Sequence, residues 1–266
     1  MPSTVPEVRE LLAFHYDCLQ GMYFSSHEKV NGGDLLFSEE ITDPYYNFLA
    51  PTTSQPVPKA ISDEFVRRNR QPAIYLTSLA DPRHPDFKDL AAWAQDAWLV
   101  ATTDTLAPTV EHDPGLTMGI VGPQDRERYV AAFAMAYSGD DPQDPYGQLD
   151  PAYSSCLRES FEHHSPEFRK YYVIATQGDV AVGIASMFTN DSLAGVYGVG
   201  TIPSQRGRGI GGALMAYLAS IAIKDGVSHI LLQTEAESSV QRWYEKLGYQ
   251  HVFTAPYLLL PTETDE

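Results

Sequence analysis

Along roughly the last hundred residues, apolar and polar positions fall in blocks whose period switches between two and about 3.6. Tyr171-Tyr172-Val173-Ile174-Ala175 is aromatic and β-branched and predicts a strand. The turn signal Gln177-Gly178-Asp179 follows, and Val180-Ala181-Val182-Gly183-Ile184-Ala185 supplies the hairpin partner. Asn190-Asp191 marks another turn, before a glycine-loosened strand from Ala194 to Thr201. Ile210, Ala213, Leu214, Tyr217, Leu218 and Ile221 then recur at helical spacing, and Lys224-Asp225-Gly226 closes that helix with a cation and a glycine. His229 to Thr234 reads as a strand. Ser238 and Gln241 have capping-box spacing for a helix bearing Val240, Trp243, Tyr244 and Leu247, ended by Gly248. Tyr249 to Phe253 and Tyr257 to Leu260 supply late strands, split by Pro256.

Upstream, Leu116 to Val121 predicts a strand, and Asp125 to Tyr137 and Tyr153 to His163 predict helices. The turn-rich stretch from Ser138 to Pro151 separates those helices. Residues 116–260 thus read as an α/β unit, a mixed and mainly antiparallel sheet with helices on both faces. The earlier pattern is fainter: Pro72 to Thr77 as a strand, Ile61 to Asn69 and Phe87 to Gln95 as helices, and Trp98 to Thr102 as a strand. This strand–helix–aromatic-strand order echoes Ile230 to Phe253. It is either an internal repeat or two ordinary stretches that look alike. Thr105 to Gly115 is the expected linker between a domain at 1–110 and one at 116–260.

The 266 residues are 43% hydrophobic, enough for a sizeable core. No run approaches the roughly 18–20 apolar residues of a membrane span, and the first residues lack the basic start and apolar stretch of a signal peptide. The expectation is a soluble cytoplasmic protein, with no membrane partner. Cys18 and Cys156 have no metal spacing and are expected as free buried thiols. The formal charge of −17 argues against nucleic acid and favours a cationic or neutral substrate.

That charge sharpens the question posed by Gln205-Arg206-Gly207-Arg208-Gly209-Ile210-Gly211-Gly212, which lies just before the amphipathic helix. A helix start offers unpaired N–H groups and about half a positive charge, and phosphates bind there if the backbone can come close. Four glycines and two arginines would make such a cradle for an acyl-CoA within a negative field. Gly207, Gly209 and Gly212 also match a dinucleotide fingerprint, with Glu235 as its ribose ligand. However, Ile202-Pro203-Ser204-Gln205 intervene after the strand, and too little chain follows to complete that fold. No lysine follows as a P-loop requires. A merely flexible basic turn is the third reading.

Arg206-x-x-Gly209-x-Gly211 resembles the R/Q-x-x-G-x-G/A motif of the GNAT acyltransferase superfamily. Val199-Gly200-Thr201-Ile202-Pro203 is similar to that family's central strand and proline-marked turn, and Trp243-Tyr244-Glu245-Lys246-Leu247-Gly248-Tyr249 to its "YEKLGF" helix end. The resemblance covers about 116–260; the first hundred residues more loosely resemble a degenerate, smaller second copy, as in tandem members. It implies a GNAT fold and acetyl transfer from acetyl-CoA, as cosubstrate, to an amine. By position, backbone groups of Val199, Gly200 and Thr201 would bond the pantetheine arm. Arg206, Gly207, Arg208, Gly209, Ile210, Gly211 and Gly212 would hold the pyrophosphate, and Tyr244 would point its hydroxyl at the thioester sulfur. In the N-terminal copy the corresponding loop reads Gln55-Pro56-Val57-Pro58-Lys59, whose prolines remove two donors, so cofactor binding there is expected to be lost.

Aminolysis of a thioester requires a neutral amine, a donor for the oxyanion and a proton for the thiolate. The N–H of Val199 is a candidate oxyanion donor and Tyr244 a candidate acid; neither a covalent intermediate nor a metal is required. A base is not legible. The central strand offers only Tyr197, and Glu162, His163, His164, Glu235 and Glu237 lie elsewhere, each readable as a solvated surface residue. Glu237 also stands where the family often has a CoA-bonding asparagine. Adjacent His163 and His164 point about 100° apart on a helix and rarely share an ion. The acidic loop Asp140-Asp141-Pro142-Gln143-Asp144 is either an entrance for a cationic amine or a solvated loop. The implied enzyme, a monomer or homodimer, acetylates a small-molecule amine such as an amino acid, a polyamine, or an amine-containing antibiotic or toxin. A protein lysine or N-terminal amine, or an acyl-CoA sensor without catalysis, are the alternatives.

Overall fold

The computed structural model describes residues 5–53, 58–106, 114–139 and 149–261. In chain order the first part contains α1 (Val8–Cys18), β1 (Ser26–Val30), β2 (Gly33–Phe37), β3 (Phe48–Pro51), α2 (Lys59–Arg67), β4 (Ala73–Tyr75) and β5 (Ala92–Thr102). The second contains β6 (Leu116–Val121), α3 (Arg126–Ala136), α4 (Pro151–Ser160), β7 (Arg169–Gln177), β8 (Val180–Thr189), β9 (Leu193–Thr201), α5 (Ile210–Lys224), β10 (His229–Glu235), α6 (Ser239–Lys246) and β11 (Gln250–Leu259). No helix among the described residues is long and apolar enough to cross a membrane.

All the strands belong to one mixed α/β sheet, in the order β1-β2-β3-β4-β11-β5-β10-β9-β8-β7-β6. Among the strands of the described residues only β3–β4 and β9–β10 are parallel pairs, and in both cases a helix makes the crossover: α2 in the first half, α5 in the second. The order α1-β1-β2-β3-α2-β4-β5 therefore repeats as α4-β7-β8-β9-α5-β10-β11, with α6 inserted before β11 and with β6 and α3 preceding the repeat. The repeat is crossed at its centre. β11 pairs with β4 of the first half, β5 pairs with β10 of the second, and β5 and β11 pair antiparallel with each other. Each half completes its sheet with the last strand of the other. The sheet thus runs straight past the expected 110/116 boundary, of which residues 107–113 lie outside the described ones.

Alternation along the strands sorts side chains onto two faces. Tyr197, Leu231, Trp98, Phe253, Tyr75 and Tyr257 face α1, α3 and α4. Val196, Leu232 and Leu99 face α5 and α6. A third cluster, around Phe65 of α2, covers the corner of the first half. β8 and most of β9 are buried, as strands covered on both faces must be.

Two expectations need correction, and the first fifty residues carry elements the sequence pattern did not predict. Phe87 to Gln95 is not a helix: turns closed by Phe87 N–H to His84 O and Leu90 N–H to Phe87 O give way to β5 at Ala92. The composition favours a helix, but β11 offers an open edge there, with Ala92, Ala94 and Gln95 facing Leu258, Tyr257 and Pro256. The late strands are one strand with two bulges, not two split by Pro256. The Pro256 carbonyl accepts Leu76 N–H on the β4 side, so its missing donor costs the ladder to β5 nothing. Finally, α1 and β1–β3 escaped notice although Asn31-Gly32 is a strong hairpin signal; those two residues close the β1–β2 turn, with Gly32 at φ 96°.

A polar link spans the seam between the halves. Tyr75 and Tyr257, their rings stacked at 4.3 Å, both donate to Asp96 Oδ2 at 3.1 Å, and Trp98 Nε1 donates to the Tyr75 hydroxyl at 2.6 Å. Burial pushes the Asp96 carboxyl up to about 7, and Glu235 pushes the same way against the two phenols. The unfolded chain therefore releases this proton first, and the stability that depends on Asp96 falls as pH rises from about 4 to about 7, then levels. Relative to the wild type, Asp96→Asn should gain on the order of 1–4 kcal/mol in urea unfolding across that window. A difference independent of pH would contradict the raised carboxyl.

Candidate active site

β9 and β10 run together only from Leu193 to Gly195, facing His229 to Leu231, and then part. Beyond Gly195 the β10-facing side of β9 has no strand partner. A bulge sharpens the divergence: Tyr197 pairs with Ser186 and Gly200 with Ile184, leaving Gly198 and Val199 opposite a single residue of β8. Gly198 makes this possible with φ 57°, a left-handed conformation that favours glycine. The Val199 carbonyl already accepts the Tyr137 hydroxyl at 3.1 Å, which leaves it one lone pair for any further donor.

From Thr201 the chain makes a single 3₁₀ turn, Pro203–Gln205, then the glycine loop, then α5. Gly207 and Gly209 are left-handed, at φ 76° and 77°, and Gly209 is the N-cap of α5. Gly207, Arg208 and Gly209 are exposed. The first N–H groups of α5, at Ile210, Gly211 and Gly212, lack intrahelical partners as at any helix start. The loop is an open crown of donors at the end of the diverging strand. A pyrophosphate fits such a crown, and an extended amide arm fits the unpaired edge leading to it.

The two arginines play different parts. Arg206 is partly buried and turns inward: Nε donates to Thr201 O and Nη2 to Ala136 O, both at 3.2 Å, tying the loop to the ends of β9 and α3. Arg208 stays outside, against Gln177 and Gln205. Only Arg208 presents its charge where the sequence placed both.

α6 packs against this loop through Trp243. Ser238 accepts Gln241 N–H at 3.0 Å as the predicted cap, although the Gln241 side chain returns to Glu237 N–H, not to the cap residue. Trp243 covers Gly211, where a Cβ would come within 3.3 Å of its ring. Tyr244 is buried beside Trp243 and edge-on to Tyr249, in the cluster that also holds Ile210 and Leu214.

On the opposite face, sequence reasoning missed a residue. His15 of α1 lies across the divergence, its Nδ1 3.2 Å from both the Tyr197 hydroxyl and Gln233 Nε2. Cys18 Sγ also meets the Tyr197 hydroxyl at 3.1 Å. Tyr197 and Gln233 are the first same-face residues after the strands part, so the first half bridges the opening of the second. Burial drives the His15 imidazole down to about 3 and holds it neutral. A lone histidine on a short apolar helix gives no sequence signal for this.

The other candidate bases are dispersed. Glu162 pairs with Arg126 at 2.5 Å on the surface. His163 lies over Gly21 and His164 is exposed. Glu235 and Glu237 are exposed, the latter strained at φ 60°. The loop 140–144 lies outside the described residues, as do Gln55, Pro56 and Val57. Cys18 and Cys156 are buried and outside any disulfide. Among the described residues no group of three or more His, Cys, Asp or Glu could hold a metal.

Residues 132–249 match the family model "Acetyltransferase (GNAT) family". No curated protein matches the chain. Among solved structures it is similar to a GCN5-related N-acetyltransferase from Kribbella flavida, with 20% identity over 98% of this chain and 99% of that one, at a TM-score of 0.68. It is also similar to a tandem GNAT protein from the clavulanic acid biosynthesis pathway (13% identity, 87% of this chain and 80% of that one, TM-score 0.62). A GCN5-related N-acetyltransferase from Sphaerobacter thermophilus is a third (16% identity, 95% and 84% covered, TM-score 0.60). At these identities the likeness is one of fold.

The inward and outward arginines should separate on mutation. Arg206→Ala removes two charged hydrogen bonds to main chain and should lower unfolding stability by about 1–3 kcal/mol; Arg208→Ala should change it by less than about 0.5 kcal/mol. Urea denaturation of the two variants checks this, and equal losses would contradict the division of roles.

Proposed function

Because residues 132–249 of this chain are a GNAT-family acetyltransferase domain, and the protein accordingly an acyltransferase, we propose that it transfers the acetyl group of acetyl-CoA directly to the amine of a small molecule. The observation that carries this reading is the unpaired edge of β9 running from its bulge into the left-handed glycine loop at the start of α5. Pantetheine amides would add to that edge like a strand. The diphosphate would rest on the N–H groups of Gly207 to Gly212, with Arg208 adding charge. The thioester would then fall where β9 and β10 part, beneath the Tyr197–His15–Gln233 bridge.

In that place the acceptor amine, ordinarily protonated below about pH 10, must give up a proton before it attacks the carbonyl carbon. The N–H of Val199 would donate to the oxyanion. As the tetrahedral species collapses, the C–S bond breaks and the thiolate takes a proton, which we assign to Tyr244. No acyl-enzyme is needed. The alternative of an acyl-CoA sensor draws on one observation: the acid–base side chain of the central strand, Tyr197, is tied to His15 and Cys18 and held protonated by burial.

Release of CoA thiol from acetyl-CoA, measured against a panel of small amines and lysine peptides, tests the proposal. Turnover on small amines is expected; turnover on peptides alone moves the reading to protein acetylation, and acetyl-CoA binding with no turnover moves it to the sensor. Tyr244→Phe should lower kcat by about 10²-fold, within the usual range for a lost acid, while acetyl-CoA affinity changes less than about threefold. Unchanged kcat, with chemistry rate-limiting, would remove Tyr244 from the mechanism.

A further inference from the structure

One carboxylate on the α1 face takes no part in the steps above. Asp96 of β5 stands opposite Glu235, at the end of β10 and past the point where β9 and β10 part. It is two residues from Trp98 on the same strand, and so shares the face that holds Trp98, Tyr197 and His15. Its Oδ2 takes the hydroxyls of Tyr75 and Tyr257. No hydrogen bond reaches Oδ1 among the described residues, although the residue is partly open to solvent. Once ionised, above about pH 7, a carboxylate has about four acceptor positions, so half of its capacity is unused.

The surroundings fit a cation. The Tyr257 and Tyr75 rings are buried and stacked on each other, so the aromatic surface open to a ligand is that of Trp93, which is exposed, packs on Tyr45 at 4.9 Å and stands 6.4 Å from Tyr257. Aromatic faces beside a carboxylate attract alkylammonium groups, and no cation appears among the groups that shift Asp96. The position also fixes which ammonium it holds. Strands lie about 4.8 Å apart, so Asp96 is one strand spacing beyond β10, whereas the thioester would lie between β9 and β10. A group bound at Asp96 is therefore not the nitrogen that attacks.

We propose that Asp96, contributed by the first half of the chain, binds the second, non-reacting ammonium of the acceptor through Oδ1, with Glu235 adding negative charge, and that the substrate is a small aliphatic diamine or polyamine. This rests on the acetyltransferase reading and narrows its substrate class.

The test compares 1,4-diaminobutane with butylamine. With wild-type protein, KM for the diamine should be at least about tenfold lower, the worth of about 1.4 kcal/mol. Asp96→Asn should bring the ratio of the two KM values to about one, with acetyl-CoA affinity by calorimetry retained and a cooperative melting transition no lower than the wild type's. Tyr257→Phe, which removes a phenol but keeps the carboxylate, should preserve the preference and so separates charge from packing. A wild type indifferent to the second amine, or a preference that survives Asp96→Asn, overturns the proposal and leaves the acetyltransferase reading standing. If no amine is acetylated, calorimetry of 1,4-diaminobutane with the CoA-loaded protein decides: binding lost in Asp96→Asn supports the site while the enzymatic reading falls, and no binding overturns the site as well.

Discussion

The antiparallel pairing of β5 with β11 is the constraint on which the rest of the structure depends. It lies at the middle of the sheet and joins strands from opposite halves of the chain. Without it the facing edges of β11 and β5 would both expose unpaired backbone groups. With it, two sheets become one, and side chains of the first half reach the opening in the second. His15 bridges Tyr197 and Gln233, and Asp96 stands beside Glu235, only because the chain crosses there.

The second half was legible because its elements follow from local pattern. The stripe from Ile210 to Ile221, the cap at Ser238 and the turn at Gly178 each carry their own signal, and each appears where it was read. The glycine loop was legible for the same reason: left-handed positions and a helix start require what the sequence supplies. The failures share a different cause. Phe87 to Gln95 has helical composition, but its end from Ala92 is claimed by a strand more than 150 residues away; Pro256 looks like a break, but the donor it lacks would have faced β4, off the ladder to β5. The inward turn of Arg206 depends on carbonyls at Thr201 and Ala136, the second supplied by a distant helix. His15 and Asp96 are ordinary residues in sequence, and their importance arises from contacts across the crossed strands.

Charge is distributed with the same logic. The chain as a whole is strongly acidic, which opposes an anionic cosubstrate and attracts a cationic acceptor. The two would enter from different surroundings. On the loop, main-chain donors and the outward Arg208 supply positive charge locally. On the α1 face, Asp96 and Glu235 keep the general sign. The aromatic wall of Tyr75, Tyr257 and Trp98 lowers the local polarity, so each remaining charge there counts for more.

The crossing also sets an order of events during synthesis. β4 and β5 leave the ribosome early, but β11, which must lie between them, is the last strand of the described chain to emerge. Until then the first half has an unfilled slot at its sheet edge, and its burial of Tyr75 and Trp98 is incomplete. Contacts so distant in sequence form slowly, because the intervening chain must first be drawn together. The nascent polypeptide thus carries an open, aggregation-competent strand edge through most of its translation, and the stretch from Gln250 to Leu259 acts as the latch that ends this exposure.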